Sequence, residues 1–295
     1  MYTIPPRVIR KIISRLEQNL KTCPTTGNAQ YAGPARTSSV KKTDHLQARP
    51  LQWAGLALGI PMKPGSIRIL RRKISTILMA EDWEKQWNAF KVEHPTSKLI
   101  SPLFSALFSL REEEHWHAVT CMGDVVYDLA VQNMESARIV LRRLMWSLND
   151  ESGGIGWGAP EAMGEITAKH KDLALEYGSI LISFVLPSHG PDNYLEYAPL
   201  RQGAYWGVAR LAQSRPHLVL PYQEDLERAL DREHDPKTQL LICLGLAHCA
   251  SPPLASEAKL RTLAAQSQLV RIYWEESFQD LDLATWAHKL LLNVP

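Results

Sequence analysis

Three observations predict an all-α fold for this chain, a solenoid of about four to five stacked helix pairs. The first is a glycine that recurs inside short apolar helical patterns, at Gly123, Gly164, Gly207 and Gly245, with spacings of 41, 43 and 38 residues. The second is an amphipathic segment ahead of each glycine, with apolar residues at three- and four-residue steps. The third is that no stretch shows strand-like alternation. Two helices per period of about 40 residues is the rhythm of HEAT and armadillo arrays.

Composition sets the outer bounds. With 295 residues and 45% hydrophobic content, the chain can bury a sizeable core. The longest apolar candidate, Ser179 to Leu186, ends at Pro187 and falls well short of the about 18 residues that a membrane span needs. Four cysteines (Cys23, Cys121, Cys243, Cys249) form no C-x-x-C, which reads as buried reduced thiols in a cytoplasmic protein. Charge is uneven. Residues 1–73 carry 14 Lys and Arg against Glu17 and Asp44, a balance of +12, whereas residues 74–295 carry 19 against 29 acids, a balance of −10. An acidic body makes a phosphate-tracking nucleic-acid surface an unfavourable reading.

Residues 1–61 differ from the rest. Arg7 to Lys21 fits a short basic helix with Val8, Ile12, Ile13, Leu16 and Leu20 along one side. From Lys21 to Pro50 almost no branched apolar residue occurs, so burial would not offset the ordering entropy and disorder is expected. The segment also has the Arg/Ser-rich, acid-poor composition of an organelle leader. A third reading takes Met62 as the natural start and residues 1–61 as an over-extension.

From Ser66, a candidate N-cap, the pattern becomes helical. Ile67, Leu70, Ile74, Ile77 and Leu78 make one stripe, and Trp83, Trp87 and Phe90 make the next. His94-Pro95 ends that helix because the residue before proline avoids the helical region. The repeats follow. Their first helices are expected near Pro102–Arg111, Met134–Leu148, Asp172–Leu186 and Pro221–Asp231, and their second helices carry the four glycines. A mid-helix glycine costs about 1 kcal/mol of helix propensity, and close approach of a neighbouring helix is its physical reason. Two further helices, near Glu257–Ser277 and Leu281–Leu291, are expected to cap the stack.

The run Ala159-Pro-Glu-Ala-Met-Gly-Glu-Ile166 resembles the second helix of a bilin-lyase-type (PBS lyase) HEAT-like repeat, whose usual core reads Ala-Ala-x-Ala-Leu-Gly-x-Ile. The longer run from Leu141 to Ile166 is similar to a bacterial family of HEAT-repeat proteins with no assigned activity. That resemblance covers roughly residues 62–250 and implies an α-solenoid, with little about chemistry. Residues 1–61 have no counterpart in it.

The most unusual stretch, residues 146–165, holds Trp146, Trp157, Asp150, Glu151, Glu161, Glu165 and the turn Gly154-Ile-Gly-Trp-Gly158. No strand precedes this turn and no Gly-Lys-Ser/Thr follows it, so it is neither a dinucleotide fingerprint nor a P-loop. Glu161 in the first helical turn would repel phosphate while complementing the helix dipole. Glu161 and Glu165, four apart, read as a solvated acidic face. His115 and His117 flank Trp116 without a third ligand at metal spacing, no His-Glu dipeptide occurs, and no nucleophile motif is present. No catalytic residue, metal or cofactor is therefore expected. Trp116 and Trp157 hold the same place in successive repeats, either filling the core or serving as exposed anchors.

These features read best as a non-catalytic interaction scaffold. Its expected contact surface is Trp116, Asp150, Glu151, Trp157, Glu161 and Glu165, offered to a protein partner with a basic surface, with no membrane role. Two alternatives stay open: an enzyme or enzyme chaperone of bilin-lyase type with a pocket at residues 149–165, and a HEAT-like DNA glycosylase.

Overall fold

The computed structural model describes residues 64–148, 156–249 and 255–292, all within one compact unit, Pro61–Pro295. The expectations for residues 1–61 lie outside the described residues. Twelve α-helices of eight residues or more, one helical turn at Pro216–Val219, two short 3-10 turns and one β-hairpin make up what is described. Among these residues no helix is long and apolar enough to cross a membrane.

The stack opens with α1 (Pro64–Leu78) and α2 (Trp83–Val92). In α1, Leu70, Ile74 and Leu78 are buried while Arg68, Arg71, Arg72 and Lys73 stay exposed, the division that the apolar stripe dictates. Ser66 lies inside the first turn rather than capping it, because Pro64 begins the helix, where its missing N–H costs nothing.

Four helix pairs follow. Their first helices are α3 (Thr96–Leu107), α5 (Met134–Leu148), α7 (Lys171–Ser183) and α9 (Gln223–Arg232). Their second helices are α4 (Glu112–Gln132), α6 (Ala159–Lys169), α8 (Ala198–Ser214) and α10 (Pro236–Cys249). Helix α3 starts six residues before the expected Pro102 and carries that proline in its interior. Burial of Leu99, Ile100, Leu103, Phe104 and Leu107 offsets the lost hydrogen bond.

The second helices pack side by side in chain order, α4 on α6, α6 on α8 and α8 on α10. Three of the recurrent glycines sit at these crossings. A Cβ on Gly123 would come within 2.7 Å of Glu165 Cγ, one on Gly164 would overlap Gly207 Cα, and one on Gly207 would lie 2.8 Å from Pro160 O. Gly245 is different, since a Cβ there meets only Ala209 Cα at 3.6 Å. Helix α6 is enclosed from every side, with Ala159 through Ala168 all buried.

The C-terminal region departs from the sequence reading. Instead of two helices it contains α11 (Glu257–Ala264), strands β1 (Leu269–Trp274) and β2 (Ser277–Asp282), and α12 (Leu283–Leu292). The strands form an antiparallel hairpin, with Trp274 opposite Ser277 and Leu269 opposite Asp282. Strand-like residues are therefore present after all: Val270, Ile272 and Tyr273 are β-branched or aromatic and bury against the helices.

Candidate functional site

The contact residues expected from the sequence fall in two regions: the face of the second helices and the turn edge near Trp157.

The hairpin lies on the first of these. Tyr273 stacks on Trp116 of α4, with centroids 5.2 Å apart and planes 15° from parallel. Its hydroxyl pairs with Thr120 Oγ1 at 3.1 Å, and burial pushes its pKa up. The indole N–H of Trp206, on α8, donates to Tyr273 O at 2.6 Å. Trp274 packs edge-on against Trp206 and parallel to His248 of α10. His117 is used differently from a metal ligand: Nδ1 bonds Leu78 O at 2.7 Å and the ring stacks on Trp83. His115 Nδ1 bonds Leu107 O at 2.8 Å.

Three of the expected contact residues are inside the protein. Trp116 is 7% exposed, Glu161 8% and Glu165 2%. This corrects the reading of the two carboxylates as a solvated acidic face and of Trp116 as a surface anchor. The cause is helical spacing. Residues four apart share one side of α6, and that side faces α8. Glu165 accepts from Arg210 Nε at 2.9 Å and Nη2 at 3.2 Å, with Lys169 Nζ at 3.4 Å. Lys169 also pairs with Asp124 of α4, so one ionic network ties three second helices together.

Glu161 has no such partner. Its carboxyl occupies the space above Gly203 of α8, where a Cβ would overlap Oε1, and its Oε2 makes no hydrogen bond. Burial raises its pKa, while His115, its own backbone N–H and Lys237 pull weakly the other way. A carboxyl enclosed in this way is a packing group held toward its neutral form.

Among the described residues, Trp157 is the expected contact residue that remains at the surface, 37% exposed and edge-on to Tyr197, itself 50% exposed, at 5.8 Å. It does not stack with Trp116. Its position follows from Gly158, whose φ is 73°. A Cβ there would sit 2.9 Å from His115 Cε1 and 3.1 Å from Leu107 O, so only glycine lets the turn pass over the start of α4. Asp150 and Glu151 lie outside the described residues. Tyr197 escaped the sequence reading because it lies outside the glycine register that singled out Trp157.

No family model matches this chain, and no curated protein does. Among solved structures it is similar to the designed armadillo repeat protein YIII(Dq)4CqI, at 18% identity and TM-score 0.47, covering 80% of this chain and 96% of that one. A computationally designed armadillo repeat protein for modular peptide recognition gives 17% identity and TM-score 0.48, covering 79% and 95%. The packing of α3 through α10 makes this chain an α-solenoid, and the hairpin closes part of its second-helix face.

Proposed function

We propose that the protein is a non-catalytic interaction scaffold whose contact edge centres on Trp157 and Tyr197, with exposed Glu196 beside Tyr197 and with Asp150 and Glu151, a few residues ahead of Trp157 in sequence, as further contact residues. The observation that supports this is the sorting of the aromatic residues. Trp116, Trp206 and Trp274 are buried, whereas Trp157 and Tyr197 form a pair at the surface where α6 and α8 begin. A rigid, half-exposed aromatic pair is the usual anchor of a protein contact. The acidic residues near the pair in sequence suit a basic partner surface. The bilin-lyase-like motif at residues 159–166 supports a repeat of that type. Its side chains are buried, so the motif speaks for helix packing rather than cofactor chemistry.

The test places a photo-crosslinking residue at position 157 of the full chain and another at Val131, an exposed control, in cells that express the protein naturally. A partner captured at 157, absent at 131 and lost in the Asp150→Lys/Glu151→Lys variant supports the edge. The same adducts at both positions would sink it.

A further inference from the structure

The hairpin covers a face that the repeats by themselves leave open, and it is attached there in two unlike ways. At its base the contacts are local. Asp282 Oδ1 accepts from Gln268 N at 2.8 Å and Ser267 Oγ at 3.1 Å, and Leu283 N donates to Gln268 O at 3.0 Å. At its tip the contacts are distant in sequence, and part of their character is ionic. The two turn residues, Glu275 and Glu276, both have positive φ, 51° and 63°, which this two-residue turn demands and which side-chain-bearing residues disfavour. Their carboxylates reach across to the helices: Glu275 Oε1 accepts from Gln213 Nε2 at 3.0 Å, and Glu276 Oε1 lies 3.9 Å from Lys169 Nζ.

What the face offers the hairpin is general in kind. Trp116, Trp206 and His248 make an aromatic bed for two adjacent aromatic side chains. The indole N–H of Trp206 grips a main-chain carbonyl and not a side chain, so it reads extended backbone. Lys169 and Arg210, which also pair with Asp124 and Glu165, lie beside the tip, Lys169 reaching Glu276 and Arg210 lying over the Trp274 ring. A two-stranded hairpin is at best marginally stable in isolation, so its order depends on this face, while α12 packs by itself on α10 and α11 and keeps the hairpin's base in place.

We propose that the hairpin is a cis-docked occupant. It leaves the α4–α8–α10 face as a unit, pivoting on its base contacts at Gln268 and Asp282. The vacated face receives an extended segment of a protein partner with the same chemistry: two adjacent aromatic residues followed by two carboxylates. This surface is separate from the Trp157 edge, and neither reading depends on the other.

Two measurements on the full chain decide it. In native-state hydrogen exchange, amides of residues 269–282 are expected to exchange roughly 100-fold faster than those of α6 and α8. Equal protection overturns independent undocking. In the second, fluorescence anisotropy follows a labelled synthetic peptide of residues 268–283. The Glu275→Lys/Glu276→Lys chain, changed only at exposed positions, is expected to bind it about ten-fold more tightly than the unaltered chain. The same peptide carrying Glu275→Lys and Glu276→Lys is expected to lose that binding. Equal affinities for the two chains, or for the two peptides, overturn the proposal.

Discussion

Gly164 and Gly207 face each other where α6 crosses α8, with no room for a methyl group on either. The closeness of the two backbones explains why the stack tolerates glycine in helix interiors.

Stability should therefore respond in opposite directions at two glycines of the same repeat register. Gly164→Ala is expected to cost about 1–3 kcal/mol, because the added carbon meets backbone that cannot step aside. Gly245→Ala, with only ordinary contact at 3.6 Å, should be neutral or stabilising by up to about 1 kcal/mol from helix propensity. Urea titration of both variants measures the contrast, and a more harmful Gly245→Ala would refute it.

The buried pair of Glu165 and Arg210 gives a second expectation. Arg210→Met leaves Glu165 with Lys169 as its remaining ionic contact and should lose about 3–5 kcal/mol. Adding Glu165→Met removes the orphaned charge, so the double variant should recover part of that loss. A double-mutant cycle from chemical denaturation checks this, and strict additivity would show that the two side chains are not coupled.

Glu161 makes stability depend on pH. Its folded pKa is raised, so the folded state holds the proton more tightly than the unfolded state does. The stabilisation linked to this proton is complete below the ordinary carboxylate range. It is lost as pH climbs from that range through the folded pKa. Glu161→Gln should flatten the slope and exceed the unaltered chain above that window, because the amide has no charge to bury. Thermal melts at several pH values supply the comparison, and parallel profiles for the two proteins would contradict it.

A chain beginning at Met62 is expected to match the full chain in melting temperature and helical circular dichroism, because α1 and its buried stripe begin after that residue. Loss of soluble protein on removing residues 1–61 would show that the extension contributes to folding.

Much of this fold was legible because helical packing leaves a periodic record. The stripe of Leu141 and Leu144 placed α5 from Met134 to Leu148 with its observed bounds, and the glycine spacing counted the repeats. Two kinds of information were harder to read. Charge hid the direction of Glu161 and Glu165, since a carboxylate at every fourth position looks solvated until its partner on α8 is known. Arg210, that partner, is 45 residues away from Glu165 in sequence. The hairpin hid for another reason. Its turn is Glu275-Glu276, without the Asn-Gly or Gly that normally marks a two-residue hairpin. The edge partner of Trp157, Tyr197, carried no periodic signal at all.

The bond between Thr120 and Tyr273 joins residues 153 positions apart, and it changes what sort of solenoid this is. Open arrays are modular: each unit touches only its neighbours, so evolution lengthens or shortens them by copying or deleting a unit. Here a strand near the C-terminus reaches back to the first of the four glycine-bearing helices and measures the distance to it. An inserted or deleted repeat would carry Trp116 and Thr120 away from Tyr273. While the hairpin is docked, the first and last of the glycine-bearing helices are joined directly through it, a link that open arrays lack.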